Sequence, residues 1–251
     1  MIRNKPQGRT GNLLLQNIGN SILSKKFDLK VETYFNIANQ DILGVHYHHN
    51  GRTISNLVRV YDIIDRDNMI SSVVDGYNID DCLAINEFMF NEQVNFGLDL
   101  NCSFQTSYFV KNFRKEILDH FSLIFLPKKN NLFVHVRLGD VISLNPGLEY
   151  YREAIKSIDY EKGYISSDSL NHPITQSLIS EFNLIPLTEN DPINVLNFAK
   201  DFEYLVLSKG TFSWWMAMLS KAEIIIFPKN DIQWYGDIFV FEDWKFIEIK
   251  K

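Results

Sequence analysis

The clearest rhythm of apolar and polar positions lies in the second half of the chain. Short apolar runs such as Tyr204-Leu205-Val206-Leu207 and Ile224-Ile225-Ile226-Phe227 suit strands covered on both faces. Segments with apolar residues at helical spacing separate such runs. The pattern predicts a strand at 132–138, a helix at 149–158, a strand at 162–166, a helix at 172–182 and a strand at 183–187. Asp191-Pro192 reads as a capped helix start, with the helix running to about residue 200. A strand at 204–207, a helix at 211–221 and a strand at 223–227 complete the series. Alternating strands and helices predict a parallel sheet and an α/β fold.

The first half is less regular. After Gly8-Arg9-Thr10-Gly11-Asn12, the residues Leu13, Leu14, Leu15, Ile18, Ile22 and Leu23 recur at helical spacing. They predict a glycine-bearing loop leading into a helix at about 11–25, with Asn12 as its cap. Residues 42–60 read as two strands joined at Asn50-Gly51, a strong hairpin signal. A helix is expected around 83–90, then a loop at 103–109 and an amphipathic helix at 110–121 with its basic residues outward. Pro127-Lys128-Lys129-Asn130 is a shift in composition and the candidate boundary between an N-terminal domain, 1–127, and a C-terminal one, 128–251.

Composition narrows the functional classes. The chain is 45% hydrophobic and 22% charged over 251 residues, an ordinary globular balance. A net charge of −6 argues against a general nucleic-acid binder but leaves room for a local basic pocket that takes a phosphorylated small molecule. Cys82 and Cys102 show neither C-x-x-C spacing nor a metal-like cluster, which fits a reducing compartment. His46 and His48 would share a strand face, as metal ligands do. With no Asp, Glu or Cys at zinc-ligand spacing beside them, they read with His49 as solvated hairpin histidines. No run reaches the roughly 18 apolar residues a spanning helix needs, and Met1 to Gly8 hold no signal-peptide core. The expectation is a cytoplasmic protein, with at most peripheral membrane association.

Candidate chemistry gathers at three predicted strand ends. The first is Phe133-Val134-His135-Val136-Arg137-Leu138-Gly139-Asp140, in which Phe133, His135 and Arg137 share one face. The second is Ser166-Ser167-Asp168-Ser169, and the third is the loop Ser208-Lys209-Gly210-Thr211-Phe212-Ser213, which runs into a helix. In one parallel sheet these ends open on the same edge, where α/β sheets bind ligands. Thr211, Ser213 and the amides of the helix's first turn suit phosphate oxygens, and Arg137 adds a planar fork of donors. Asp168 accepts only, so it suits the N–H edge of a base or a ribose hydroxyl. For His135 and Arg137 the competing explanation is a simple ion pair with carboxylates at the sheet end. Trp214-Trp215 at the helix start reads as core packing.

These segments together resemble the α-1,2-fucosyltransferases of bacterial type and, more distantly, the protein O-fucosyltransferases. His135 to Asp140 is similar to their H-x-R-R-x-D motif, Ser167-Asp168 to the start of S-D-D, and Gly210 to Trp215 to S-S-F-S-W-W. Gly8 to Asn12 is similar to the N-terminal glycine motif, and Phe104 to Phe109 to a further family segment. The resemblance implies two Rossmann-like halves facing across a cleft, with a GDP-fucose donor held mainly by the C-terminal half and a glycan acceptor entering from the N-terminal half. It implies inverting, metal-independent transfer to a galactose hydroxyl. By the same resemblance Arg137 binds the diphosphate, His135, Asp140 and Asp168 lie beside the nucleotide, and Thr211 and Ser213 bind phosphate. Asn12 and Arg9 approach the reacting sugar or acceptor from the opposite side. The chain departs from the family pattern at Leu13, Leu138, Ser169 and Gly210. Two alternatives therefore stay open: a glycosyltransferase using another nucleotide sugar, and a non-catalytic nucleotide-sugar or glycan-binding protein.

Overall fold

A computed structural model of the chain describes residues 1–61, 83–85, 93–140, 142–229 and 238–248. They divide into two compact units. The first holds Met1–Ala38, the described part of Gly44–Phe121, and Ile238; the second holds Asn39–Leu43 and the described remainder from Ser122 onward.

In the first unit, β1 (Ile2–Asn4), β2 (Leu57–Tyr61), β3 (Leu83–Ala84) and β4 (Gly97–Asn101) form a parallel sheet of order β1-β4-β2-β3. Helix α1 (Thr10–Phe27) is the expected N-terminal helix, one residue longer at its start than the pattern indicates. Its N-cap is Arg9, in extended conformation and without a capping side chain. Asn12, expected as the cap, instead lies inside the first turn, because Thr10 and Gly11 are already helical. The helix ends at Asp28 in the left-handed region, with Lys25 and Lys26 in the last turn, where positive charge complements the helix dipole.

Helix α1 is buried on more than its apolar side, and its buried polar residues find partners in the surrounding loops. Gln16 donates to the carbonyls of Lys5 and Cys102, both at 2.9 Å, and accepts from the amide of Gln7 at 3.0 Å. Asn17 both donates to and accepts from the backbone of Phe35, at 2.8 Å each way, as a neighbouring strand would. Ser21 accepts from the amide of His48, and Ser24 donates to the carbonyl of Leu29. Side-chain amides and hydroxyls thus satisfy backbone groups that no sheet reaches.

The hairpin expected at 42–60 does not form. Gln40–Leu43 is a single 3-10 turn, and Leu57–Tyr61 pairs in parallel with β3 and β4. Gly51 serves a close approach instead: a Cβ there would stand 2.5 Å from the carbonyl carbon of Leu29. Arg52 exchanges backbone hydrogen bonds with the same stretch, its amide donating to Asp28 at 2.7 Å and its carbonyl accepting from Lys30 at 3.0 Å. Of the helix expected at 83–90, Leu83 and Ala84 are strand, Ile85 is helical and residues 86–90 lie outside the described ones. The helix expected at 110–121 is two short ones, α2 (Ser107–Asn112) and α3 (Arg114–Leu118), broken at Phe113.

The second unit follows the predicted alternation closely. Its elements are β5 (Lys128–Val136), α4 (Leu148–Lys156), β6 (Lys162–Ser167), α5 (Pro173–Phe182), β7 (Ile185–Pro186), α6 (Pro192–Ala199), β8 (Phe202–Val206), α7 (Thr211–Met218), β9 (Ile224–Lys229) and β10 (Lys245–Glu248). The sheet is parallel, in the order β10-β9-β8-β5-β6-β7. Asp191 caps α6 as expected, accepting from the amides of Ile193 and Asn194 at 2.8 and 3.2 Å. Val134, Val136 and Leu138 pack into a core with Tyr150, Tyr151, Ala154 and Ile155 of α4. On the other face Phe133 meets Phe198 and Phe202 in an aromatic cluster. Trp214 and Trp215 are both fully buried and meet edge to face, which bears out their reading as core. Among the described residues no helix is long and apolar enough to cross a membrane.

Candidate functional site

Counted along the chain, the six strands of the second unit lie in the order third, second, first, fourth, fifth, sixth. This is the doubly wound arrangement, whose connections run outward in opposite directions from the two central strands. Those strands are β5 and β8. Their backbone ladder stops at Val134 and Val206. A crevice at this switch point is where open α/β sheets receive ligands. The expected residues His135, Arg137, Asp140, Asp168, Thr211 and Ser213 all belong to β5, β6, β8 or the segments that leave their carboxyl ends.

Each of these side chains is held differently. His135 is 4% exposed, with Nδ1 2.8 Å from the hydroxyl of Ser213 and its ring edge-on to Phe212. Burial pushes its pKa down to about 3, and the Arg137 guanidinium pushes the same way against a smaller opposing effect of Asp168. The ring is therefore neutral at physiological pH. Arg137 follows the last residue of β5. Its Nη2 donates to Asp140 Oδ1 at 2.8 Å, and its Nε lies 3.9 Å from Asp168 Oδ2. Asp168 spends its other oxygen on the backbone, accepting from the amides of Leu138 at 2.9 Å and Gly139 at 3.2 Å. The ion pair that competes with a functional explanation is thus present, and Asp168 also fixes the path of the β5 loop.

Three buried side-chain atoms among the described residues lack a hydrogen-bond partner: Asn20 Nδ2, Arg137 Nε and Ser166 Oγ. Two of the three lie at this sheet edge, Ser166 standing directly across the ladder from His135. Buried polar atoms are nearly always paired, so two without a hydrogen-bond partner at one sheet edge set this edge apart from the rest of the described core. The third strand end contributes Gly210, the N-cap of α7, whose φ of 112° favours glycine and whose Cα faces open space. Thr211 and Ser213 belong to the first turn of α7, and Ser213 is fully buried against His135.

Arg9 and Asn12 belong to the first unit, Arg9 exposed at the start of α1 and Asn12 packed against Gly8. The histidines at 46, 48 and 49 do not converge: His46 stacks on His120, His48 bonds to Ser24, and His49 meets Tyr34 edge-on. Among the described residues no group of three His, Cys, Asp or Glu is placed to hold a metal ion.

Two residues that matter at the switch point, Tyr151 and Asn145, carry no mark in the sequence, and Ser208 stands there only as the first residue of the third polar strand end. Ser208 Oγ accepts from the amide of Arg137 at 2.8 Å and lies 2.5 Å from the hydroxyl of Tyr151. Asn145 donates to the carbonyl of Arg137 at 2.7 Å and to Tyr151 at 3.2 Å. A polar residue directly after the apolar run of β8 is a signal for Ser208. Tyr151 carries none, since its helical position reads as core.

No protein-family model, curated protein or solved structure matches this chain.

Proposed function

We propose that this chain is an inverting, metal-independent glycosyltransferase that moves L-fucose from GDP-fucose to a galactose hydroxyl, with the donor held by the second unit. The observation that carries the reading is the pair of orphaned buried atoms, Arg137 Nε and Ser166 Oγ, at the edge of a doubly wound sheet. The identity of the sugar rests on the motif resemblance. In this proposal Arg9 and Asn12 serve the acceptor.

The chemistry asks for what these residues offer. The acceptor oxygen attacks the anomeric carbon while its bond to the β-phosphate oxygen breaks, and negative charge grows on departing GDP. Preorganised donors on the phosphates lower that barrier. Arg137 presents such donors, and the amides at the start of α7 add the positive end of a helix dipole. Neutral His135 with Ser166 suits hydrogen bonding to an uncharged part of the donor rather than to its phosphates. Burial leaves His135 unable to hold a proton near neutral pH, so it is not the base that takes the acceptor proton.

The test is incubation with labelled GDP-fucose and a panel of β-galactosides, with linkage analysis of the product and a parallel donor panel read by GDP or UDP release. Arg137→Ala is expected to lower turnover by about 10²–10³ with the fold retained, the usual cost of one such donor. Activity should survive EDTA. Retention of most activity by Arg137→Ala refutes the mechanism; UDP release, or GDP binding without transfer or hydrolysis, selects one of the two alternatives.

A further inference from the structure

We infer that Tyr151 is a positioning residue: through Ser208 and Asn145 it fixes the peptide of Arg137 at the switch point. This rests on the proposed role of Arg137 for its functional consequence, though not for its geometry. Where the β5–β8 and β5–β6 ladders end, Arg137 has no strand partner for its amide and carbonyl. Side chains replace the lost ladder. Ser208 Oγ accepts the Arg137 amide hydrogen at 2.8 Å, and Asn145 Nδ2 donates to the Arg137 carbonyl at 2.7 Å.

The proton inventory of this cluster has one consistent solution. Ser208 donates its hydroxyl hydrogen to the carbonyl of His135 at 3.1 Å, so at the 2.5 Å contact Tyr151 must be the donor. Tyr151 in turn accepts from Asn145 at 3.2 Å. One phenol hydroxyl therefore orients both side chains that hold Arg137. Tyr151 is fully buried and Ser208 is 1% exposed, so neither has water as a substitute partner. The tyrosine reaches this cluster from α4, through the core.

Tyr151→Phe keeps the ring that fills the core and removes only the hydroxyl. Two readouts decide the matter. Backbone hydrogen exchange at Arg137 should accelerate by about tenfold, on the scale of one hydrogen bond, while amides of the β5–β8 ladder below Val134 stay protected. GDP affinity, measured by titration, should fall by about five- to tenfold. Ser208→Ala should produce both effects, and adding Tyr151→Phe to it should change little further, because Tyr151 acts through Ser208 on the amide side. Exchange rising evenly across the sheet makes Tyr151 a packing residue and overturns the inference, as does unchanged exchange at Arg137. Selective exchange with wild-type GDP affinity overturns the positioning role. Selective exchange in a protein whose wild type binds no GDP leaves the clamp standing and removes the fucosyltransferase reading instead.

Discussion

Replacing His135 by Asn should flatten the acid side of the stability profile. An imidazole with a pKa of about 3 in the folded chain, against an ordinary 6.5 when unfolded, is unprotonated in the native state at pH 5. The unfolded chain at that pH has bound the proton, so lowering the pH favours unfolding. This group's stabilisation is therefore complete above pH 6.5, declines as pH falls below it, and is exhausted near pH 3. Between neutral pH and pH 5 the loss comes to about 2 kcal/mol, approaching a slope of about 1.4 kcal/mol per pH unit. In His135→Asn the amide can keep a hydrogen bond to Ser213 in place of Nδ1, and nothing there titrates. His120, whose pKa burial also lowers, is present in both proteins and cancels in the comparison. Urea unfolding from pH 7.5 to 5, with wild type and variant measured in the same buffers, gives the difference in slope. The absolute cost of the substitution does not enter. Parallel pH profiles for the two proteins refute the argument that His135 is buried and neutral.

Two further substitutions test the supports of the site and of its scaffold. Gly139→Ala places a methyl carbon 2.5 Å from Asp168 Oδ2 and must dislodge the carboxylate that holds the amides of Leu138 and Gly139; a loss of about 1–3 kcal/mol is expected by urea unfolding, and wild-type stability would show that Asp168 adapts freely. Asp191→Ala removes the cap of α6 and the 2.7 Å bond from Asn39 that ties the turn Gln40–Leu43 to that helix. A loss of about 1–2 kcal/mol is expected in thermal or urea unfolding, and a change under 0.5 kcal/mol would mean that Pro192 alone sets the helix start.

What the sequence determined is local. Apolar runs, helical spacing and the Asp191-Pro192 cap placed the elements of the second half within a few residues, because side-chain periodicity and caps act over single turns and strands. The same locality misled at Asn50-Gly51: a dipeptide that suits a hairpin turn equally suits a backbone pressed against Leu29, and only the distant partner tells them apart. The polar residues at the ends of β5, β6 and β8 were legible as a group, since apolar strands do not spend such positions idly. Tertiary structure alone decided the rest. Sheet order put β5 beside β8 and so created the switch point; burial made His135 neutral; and Tyr151, an apolar-looking helix position, became the hydroxyl that orients Ser208 and Asn145 around Arg137. These are consequences of contacts between residues far apart in the chain, and no pattern within one segment encodes them.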